Sequence, residues 1–337
     1  MSQEFSKLGL EPHVDVMGNV AVRVREAKPG SPRVLVFAHM DEVGFVVRKI
    51  EPDGFLRLHR LGGIPEKSLA GQRVVFLGRH GLVPGVIGTK SHHVTPADEK
   101  YRVVPLEDLY VDVGAATIRE AQEMGLHVGT LGVYAPSFQR RGWLVQGKAM
   151  DNRVGCAVLV ELARILVGGQ DGAGSAGVYL VGSVQEEFNL RGVLPIVREL
   201  RPDIAISVDI AVACDTPDLR QVTDVSLNRG PTINLYSFHG RGTLNGVLPN
   251  RKLAYALMDA AEAAAVPSQF GSFFGGLTEA AYVQLEGGGI PSIEVGVPCR
   301  YTHSPVEVCS LQDINHTARM LAAFVRQLSS GIDLSRG

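Results

Sequence analysis

Cysteine is scarce in this 337-residue chain: Cys156, Cys214, Cys299 and Cys309 are scattered, with no Cys-x-x-Cys spacing. That usage gives neither a zinc knuckle nor a disulfide framework and predicts a reducing, cytoplasmic setting. An excess of one charge is also missing, because 33 basic residues face 35 acidic ones for a formal net charge of −2. Such a balance gives no support for a nucleic-acid partner or an anionic membrane surface. No apolar run reaches the roughly 18 residues of a membrane span, and the start "MSQEFSKLGLEPH" has no signal-peptide apolar core. There is no Gly-x-Ser-x-Gly elbow to offer a serine nucleophile, and "GTKSHH" (88–93) lacks phosphate-loop spacing and reads as an exposed turn. What is present is the composition of a soluble globular protein, 45% hydrophobic and 20% charged, sized for one large or two moderate domains.

The β-branched run "RVLVFAHMDEVGFVVRKI" (33–50) reads as buried strands interrupted at "HMDEVG". From about Leu61 to Arg141 the texture changes to short β-prone runs between Gly- and Pro-containing turns, which predicts a small, mostly β insert. Alternation of helix and strand then returns. "DNRVGCAVLVELARILV" carries apolar residues at Val154, Val158, Leu162, Ile165 and Leu166, and "LPNRKLAYALMDAAEAAAV" is a second helix. "AGVYLVGSVQEE", "PDIAISVDIA" and "IPSIEVGVP" read as near-continuous apolar strands, so an α/β sheet covered by helices is expected.

In such sheets ligands sit at the carboxyl ends of strands. The expected strand ends carry His39 and Asp41, then Glu186 with Glu187, then Asp209, and His303 follows the last strand; Asp151 sits where the insert rejoins. Two histidines among carboxylates suit zinc, cobalt or manganese, and without cysteine an open catalytic site is favoured over a structural one. Each residue also has a plainer role available. Asp151 alone could be a helix N-cap, His39 a hydrogen-bonded core histidine, Asp209 a turn cap, and His303 an ordinary loop residue. The Glu pair could be a solvated strand end, although two adjacent like charges call for a compensating cation.

The motifs "AHMDEVGF", "GKAMDNRVG", "VQEEFNLRG", "SVDIAVACDTP" and "RYTHSPVEV", in this order, resemble those of the tetrahedral di-metal aminopeptidases. This family comprises the glutamyl and deblocking aminopeptidases, some long labelled cellulase-like, and the resemblance runs from about Gly18 to Asp313. It implies a zinc-peptidase-like α/β catalytic domain, a mixed sheet flanked by helices, over residues 1–62 and 142–337. Residues 63–141 would be the inserted β-rich dimerisation domain, in dimers that assemble into a tetrahedral dodecamer. Asp151 would bridge two divalent metals, with His39 and Asp209 completing one site and Glu187 and His303 the other. Glu186 would be the general base acting on a water shared by the metals, and Asp41 would orient His39. The implied activity is removal of N-terminal residues from short peptides.

Departures from the family pattern carry their own expectations. The family usually has an extra helix before "SKLGLEPH", and a late start bears on assembly and stability. Asn189 stands where Gly is frequent and is expected to alter the loop beside the metals. Glu279, in Thr278-Glu279-Ala280, stands where Asp is frequent and is expected to alter the substrate pocket. A glycosidase would need two carboxyl groups facing across a sugar bond, about 5–10 Å apart, and would leave the histidines without a task. A non-catalytic metal-binding assembly subunit fits poorly with an intact ligand set and base. A deacylase or carboxypeptidase using the same centre is not separated from an aminopeptidase by these motifs.

Overall fold

The computed structural model describes residues 1–169, 174–240, 246–328 and 333–335. Its scaffold is a 12-stranded mixed sheet. Four parallel strands form the centre in the order Gly177–Ser183, Arg33–His39, Ile204–Val212 and Ser292–Arg300. Val34 and Val36 alternate with Leu35 and Phe37 along the His39 strand, and the two pairs enter different cores, as a period of two requires. On one face Val158 and Leu162 of helix Met150–Gly168 pack with Leu321 and Phe324 of helix Leu311–Gln327. On the other, Ile196, Val197, Ala280 and Val283 cover the sheet. Near the start, Ser2–Lys7 is a short helix whose Phe5 is fully buried in the first of these cores.

The inserted unit is a closed six-stranded barrel in the order Gly44–Ile50, Leu56–Leu61, Val111–Asp112, Gly81–Ile87, Arg73–Gly78, Leu131–Tyr134. It has its own core around Phe45, Leu56, Phe76, Ile87 and Tyr134. The mostly β insert is therefore present, but its limits differ from 63–141. Gly44–Leu61 belongs to the barrel, whereas Phe138–Arg141 returns to the main sheet and pairs with Leu144–Gly147. The chain leaves the sheet at "HMDEVG", where the interruption was expected, and composition does not mark the passage because strands of both units are equally apolar.

Three local expectations are also corrected. The strand Gly177–Ser183 ends before Glu186 and Glu187, which stand in the loop that follows. Asp209 is not at a strand end, since its strand runs on to Val212. Asp151 caps nothing: Asn152 Oδ1 accepts the Gly155 N–H at 2.9 Å, and Asn152 Nδ2 donates to the Val208 carbonyl at 2.8 Å. Capping by its neighbour leaves the Asp151 carboxylate free.

Candidate active site

His39, Asp151, Glu186, Glu187, Asp209 and His303 line one cavity of about 740 Å³ beside the carboxyl ends of the central strands. His39 Nε2 lies 3.2 Å from Asp151 Oδ1, 3.7 Å from Asp209 Oδ1 and 3.8 Å from Glu186 Oε2. His303 Nε2 lies 3.3 Å from Asp151 Oδ2 and 3.3 Å from Glu187 Oε1. Asp151 thus presents one oxygen to each histidine.

Both imidazoles are turned the same way by the backbone. His39 Nδ1–H donates to the Asp41 carbonyl at 3.1 Å, and His303 Nδ1–H donates to the Gly63 carbonyl at 2.7 Å. A carbonyl accepts only, so each Nδ1 carries the proton and each Nε2 faces the carboxylates. A lone pair that close to a carboxylate oxygen is repulsive unless a proton or metal cation lies between them. Glu187 Oε1 is buried without a hydrogen bond, which marks it as a free ligand atom. Two groups whose ligand atoms lie within 4.8 Å of one another share Asp151: His39–Asp151–Asp209 and Asp151–Glu187–His303. His39, Glu186 and Glu187 form a third such group. Nitrogen and oxygen donors in open clusters fit divalent zinc, cobalt or manganese.

The electrostatics agree with that fit. Burial pushes the Glu186 carboxyl well above the usual range, with Asp209 and Glu187 adding to the effect and His39 opposing it. Burial likewise raises Glu187 and Asp209. Burial alone would lower His303, but the Asp151 and Glu187 carboxylates beside it outweigh burial and push the imidazole up to about 12. For Asp151 burial is likewise overcome, and His303 and His39 hold its carboxyl down. Glu186, Glu187 and Asp209 are thus ionised only at a cost, which a cation among them would offset.

Asp41 does more than face His39. Its carboxylate is 3.6 Å from His39 Nδ1, yet its two oxygens accept the backbone N–H groups of Glu186 at 3.2 Å and Glu187 at 3.1 Å. With their main chains fixed side by side, Glu186 points toward His39 and Glu187 toward His303. The barrel reaches the site through Gly62, where φ is +80° and a Cβ would come within 3.0 Å of Glu187 Oε2. Asn189 lines the cavity with φ +87°, a left-handed conformation that explains why glycine is at home there and that Asn tolerates. Glu279 is absent from the cavity wall, where its neighbours Leu277 and Thr278 stand, so it does not shape the pocket directly.

Sequence reasoning missed Glu307. Its carboxylate is 1% exposed and accepts the backbone N–H of His303 at 2.6 Å and of Asp151 at 3.0 Å. The only signal was an acid four residues after His303 in "HSPVE", on a strand that otherwise looks apolar.

The profile of the M42 glutamyl aminopeptidases matches residues 18–320. SgcX of Escherichia coli (strain K12), which carries a provisional aminopeptidase name, is 43% identical over 95% of this chain and 85% of its own length. The lysyl aminopeptidase of Pyrococcus furiosus is 30% identical over 94% of this chain and 87% of its own. Among solved structures, a TET aminopeptidase from a marine sediment archaeon of the Thaumarchaeota aligns with a TM-score of 0.89 at 31% identity, over 97% of this chain and 89% of that one. The TET1 peptidase of Pyrococcus horikoshii, described as able to assemble into a tetrahedron or a large octahedral shell, aligns with a TM-score of 0.83 at 28% identity, over 97% and 92%.

Proposed function

The chain belongs to the M42 glutamyl aminopeptidase family, which makes it a peptidase, and from that premise we propose that it removes single residues from the free N-termini of short peptides with two divalent metals. The observation that carries this reading is the pair of ligand groups joined at Asp151, each with its own histidine. His39, Asp151 and Asp209 hold one cation, and Asp151, Glu187 and His303 hold the other; zinc or cobalt suits these donors best, and manganese also fits. Bound there, the cations supply Lewis acidity and lower the pKa of water by several units.

Glu186 is left out of both Asp151 groups and is the general base. A buried carboxyl raised toward neutrality by its surroundings is matched to that task. It accepts a proton from the attacking water at a carboxylate oxygen and passes it to the leaving amine. Asp41 keeps Glu186 and Glu187 in register, and Ile210, Val212, Phe273, Leu277 and Tyr282 offer apolar walls to the substrate side chain.

The barrel, over 44–134 rather than 63–141, serves as the dimerisation domain; Leu77, Leu82 and Leu131, 50–68% exposed on its outside, support that role. The TET1 likeness supports dimers assembled into a dodecamer. Four cysteines without a disulfide suit a cytoplasmic setting, and among the described residues no helix is long and apolar enough to cross a membrane.

The test is mass spectrometry of a short-peptide mixture, with free and acetylated N-termini, incubated with protein plus zinc or cobalt. Stepwise loss of N-terminal residues from the free peptides only, stopped by chelation, is expected. Cleavage that survives chelation, or no cleavage with metal bound, would overturn the reading.

A further inference from the structure

The loop that carries Glu186 and Glu187, residues 184–192, is closed tightly at its base. A Cβ on Gly192 would stand 1.4 Å from the Val184 carbonyl oxygen, so the incoming and outgoing chains touch there. Inside the loop Gln185, Asn189 and Leu190 all have left-handed φ values of +61°, +87° and +56°. Such a run of left-handed residues persists only where its surroundings fix it. Inside the loop the Leu190 N–H bonds the Glu186 carbonyl at 2.8 Å, and its base is held from outside.

Two side chains from opposite ends of the sequence do so, in nested fashion. Asn19 bridges the inner pair: its Oδ1 accepts the Val184 N–H at 3.0 Å and its Nδ2 donates to the Gly192 carbonyl at 2.8 Å. Glu279 bridges the outer pair: it accepts the Ser183 hydroxyl and, at 2.9 Å, the Val193 N–H. Both are buried, at 0% and 1% exposure, and neither lines the cavity. Asn19 is itself fixed by Asp15, whose Oδ2 accepts from Asn19 Nδ2 at 2.7 Å.

We propose that Asn19 and Glu279 form a two-point clamp across the mouth of this loop and are positioning residues that aim Glu186 and Glu187. The clamp rests on the di-metal peptidase reading for its catalytic meaning, while its structural part stands without it. Asp41 pins the tip of the loop through the Glu186 and Glu187 N–H groups, and the clamp fixes the base from which that tip projects. A displacement of about 1 Å in a reacting group can lower turnover by about a hundredfold. A loosened base would therefore be felt at Glu186 even with every cavity-lining side chain intact.

The variants that test it differ in hydrogen-bond polarity rather than bulk. Asn19→Asp is isosteric but sets a carboxylate oxygen against both acceptors of Asn19 Nδ2, the Gly192 carbonyl and the Asp15 carboxylate. Glu279→Gln keeps both bridges, because its amide oxygen still accepts from Val193 and its NH₂ donates to the Ser183 hydroxyl oxygen. Glu279→Ala removes both. With cobalt-loaded protein, Asn19→Asp and Glu279→Ala are expected to lower kcat about 10- to 100-fold with KM little changed. They should also shift the visible absorption of cobalt, since the ligand Glu187 rides on the loop, while Glu279→Gln restores both readouts. Should Glu279→Ala fail to fold, the comparison of Asn19→Asp with Glu279→Gln decides alone. Wild-type kcat and cobalt absorption in a folded Asn19→Asp would overturn the clamp. Absence of peptidase activity in the wild-type protein would instead overturn the peptidase reading, and the cobalt absorption would still judge the clamp.

Discussion

Glu307 offers the sharpest test of how the metal ligands are held. Its two oxygens take the backbone N–H groups of His303 and Asp151, so one buried carboxylate fixes a proposed ligand from each side of the centre. Glu307→Gln preserves size and, above about pH 8 where the carboxyl is ionised, removes charge, yet it is not conservative there, because two N–H donors meet a group with only one oxygen. Either rotamer leaves one donor facing the amide NH₂. A buried N–H without a partner costs about 1–3 kcal/mol, and loss of a group that orients a metal ligand typically weakens metal binding about 10- to 100-fold. We expect Glu307→Gln to lose stability of that order in chemical denaturation of the metal-free protein, and zinc affinity of that order in competition with a chromophoric chelator. The two losses share a cause, so they should appear together. Wild-type zinc affinity in this variant would show that Asp151 and His303 are aimed by something other than Glu307.

The other expectations are briefer. Glu186→Gln should keep both metals, read by elemental analysis of the dialysed protein, yet lose about 10²- to 10⁴-fold in kcat; near-normal turnover would remove Glu186 as the base. The metal-free protein should lose stability as pH rises, because burial pushes Glu279 up to about 7 and Glu307 up to about 8. For a group whose folded pKa is raised, the stabilising contribution is complete below the unfolded value and is lost as pH passes the folded one. His303, also raised, acts in the same direction above its ordinary value, so denaturation midpoints should fall from about pH 5 to pH 8. Chelation should therefore lower Tm more at pH 8 than at pH 6, with recovery on adding zinc or cobalt; an effect independent of pH would refute this account.

The elements were largely legible because their periods are strong. The His39 strand is apolar on both faces, and the helix from Met150 shows its buried stripe at Val154, Val158 and Leu162. The candidate ligand set came from the family resemblance of five short motifs, and the structure brings His39, Asp151, Glu186, Glu187, Asp209 and His303 into one cavity. What the sequence concealed was the choice of partner, whether distant or next door. The barrel begins at Gly44 with no change of composition, since only strand pairing separates Gly44–Ile50 from Arg33–His39. Asp151 looked like an N-cap because the residue that does the capping is its neighbour, Asn152. Glu307 was invisible as a partner of Asp151, since the N–H it accepts lies 156 positions away.

The adjacent carboxylates Glu186 and Glu187 show why those hidden partners matter. Two acids side by side, with the Asp41 carboxylate on their backbone and Asp151 and Asp209 nearby, make a cluster that repels itself until cations enter it. Such a cluster cannot hold its own geometry. Its fixed points lie in hydrogen bonds around it, from neutral groups and buried carboxyls alike: Nδ1 of each histidine on a carbonyl, Asn152 on Val208, Glu307 on the His303 and Asp151 N–H groups, and Asn19 with Glu279 across the loop base. The scaffold sets where the charges stand, and the charges set what can bind. That division lets the carboxylates be chosen for chemistry rather than stability, and it places the structural cost of changing the site on residues that never face the cavity.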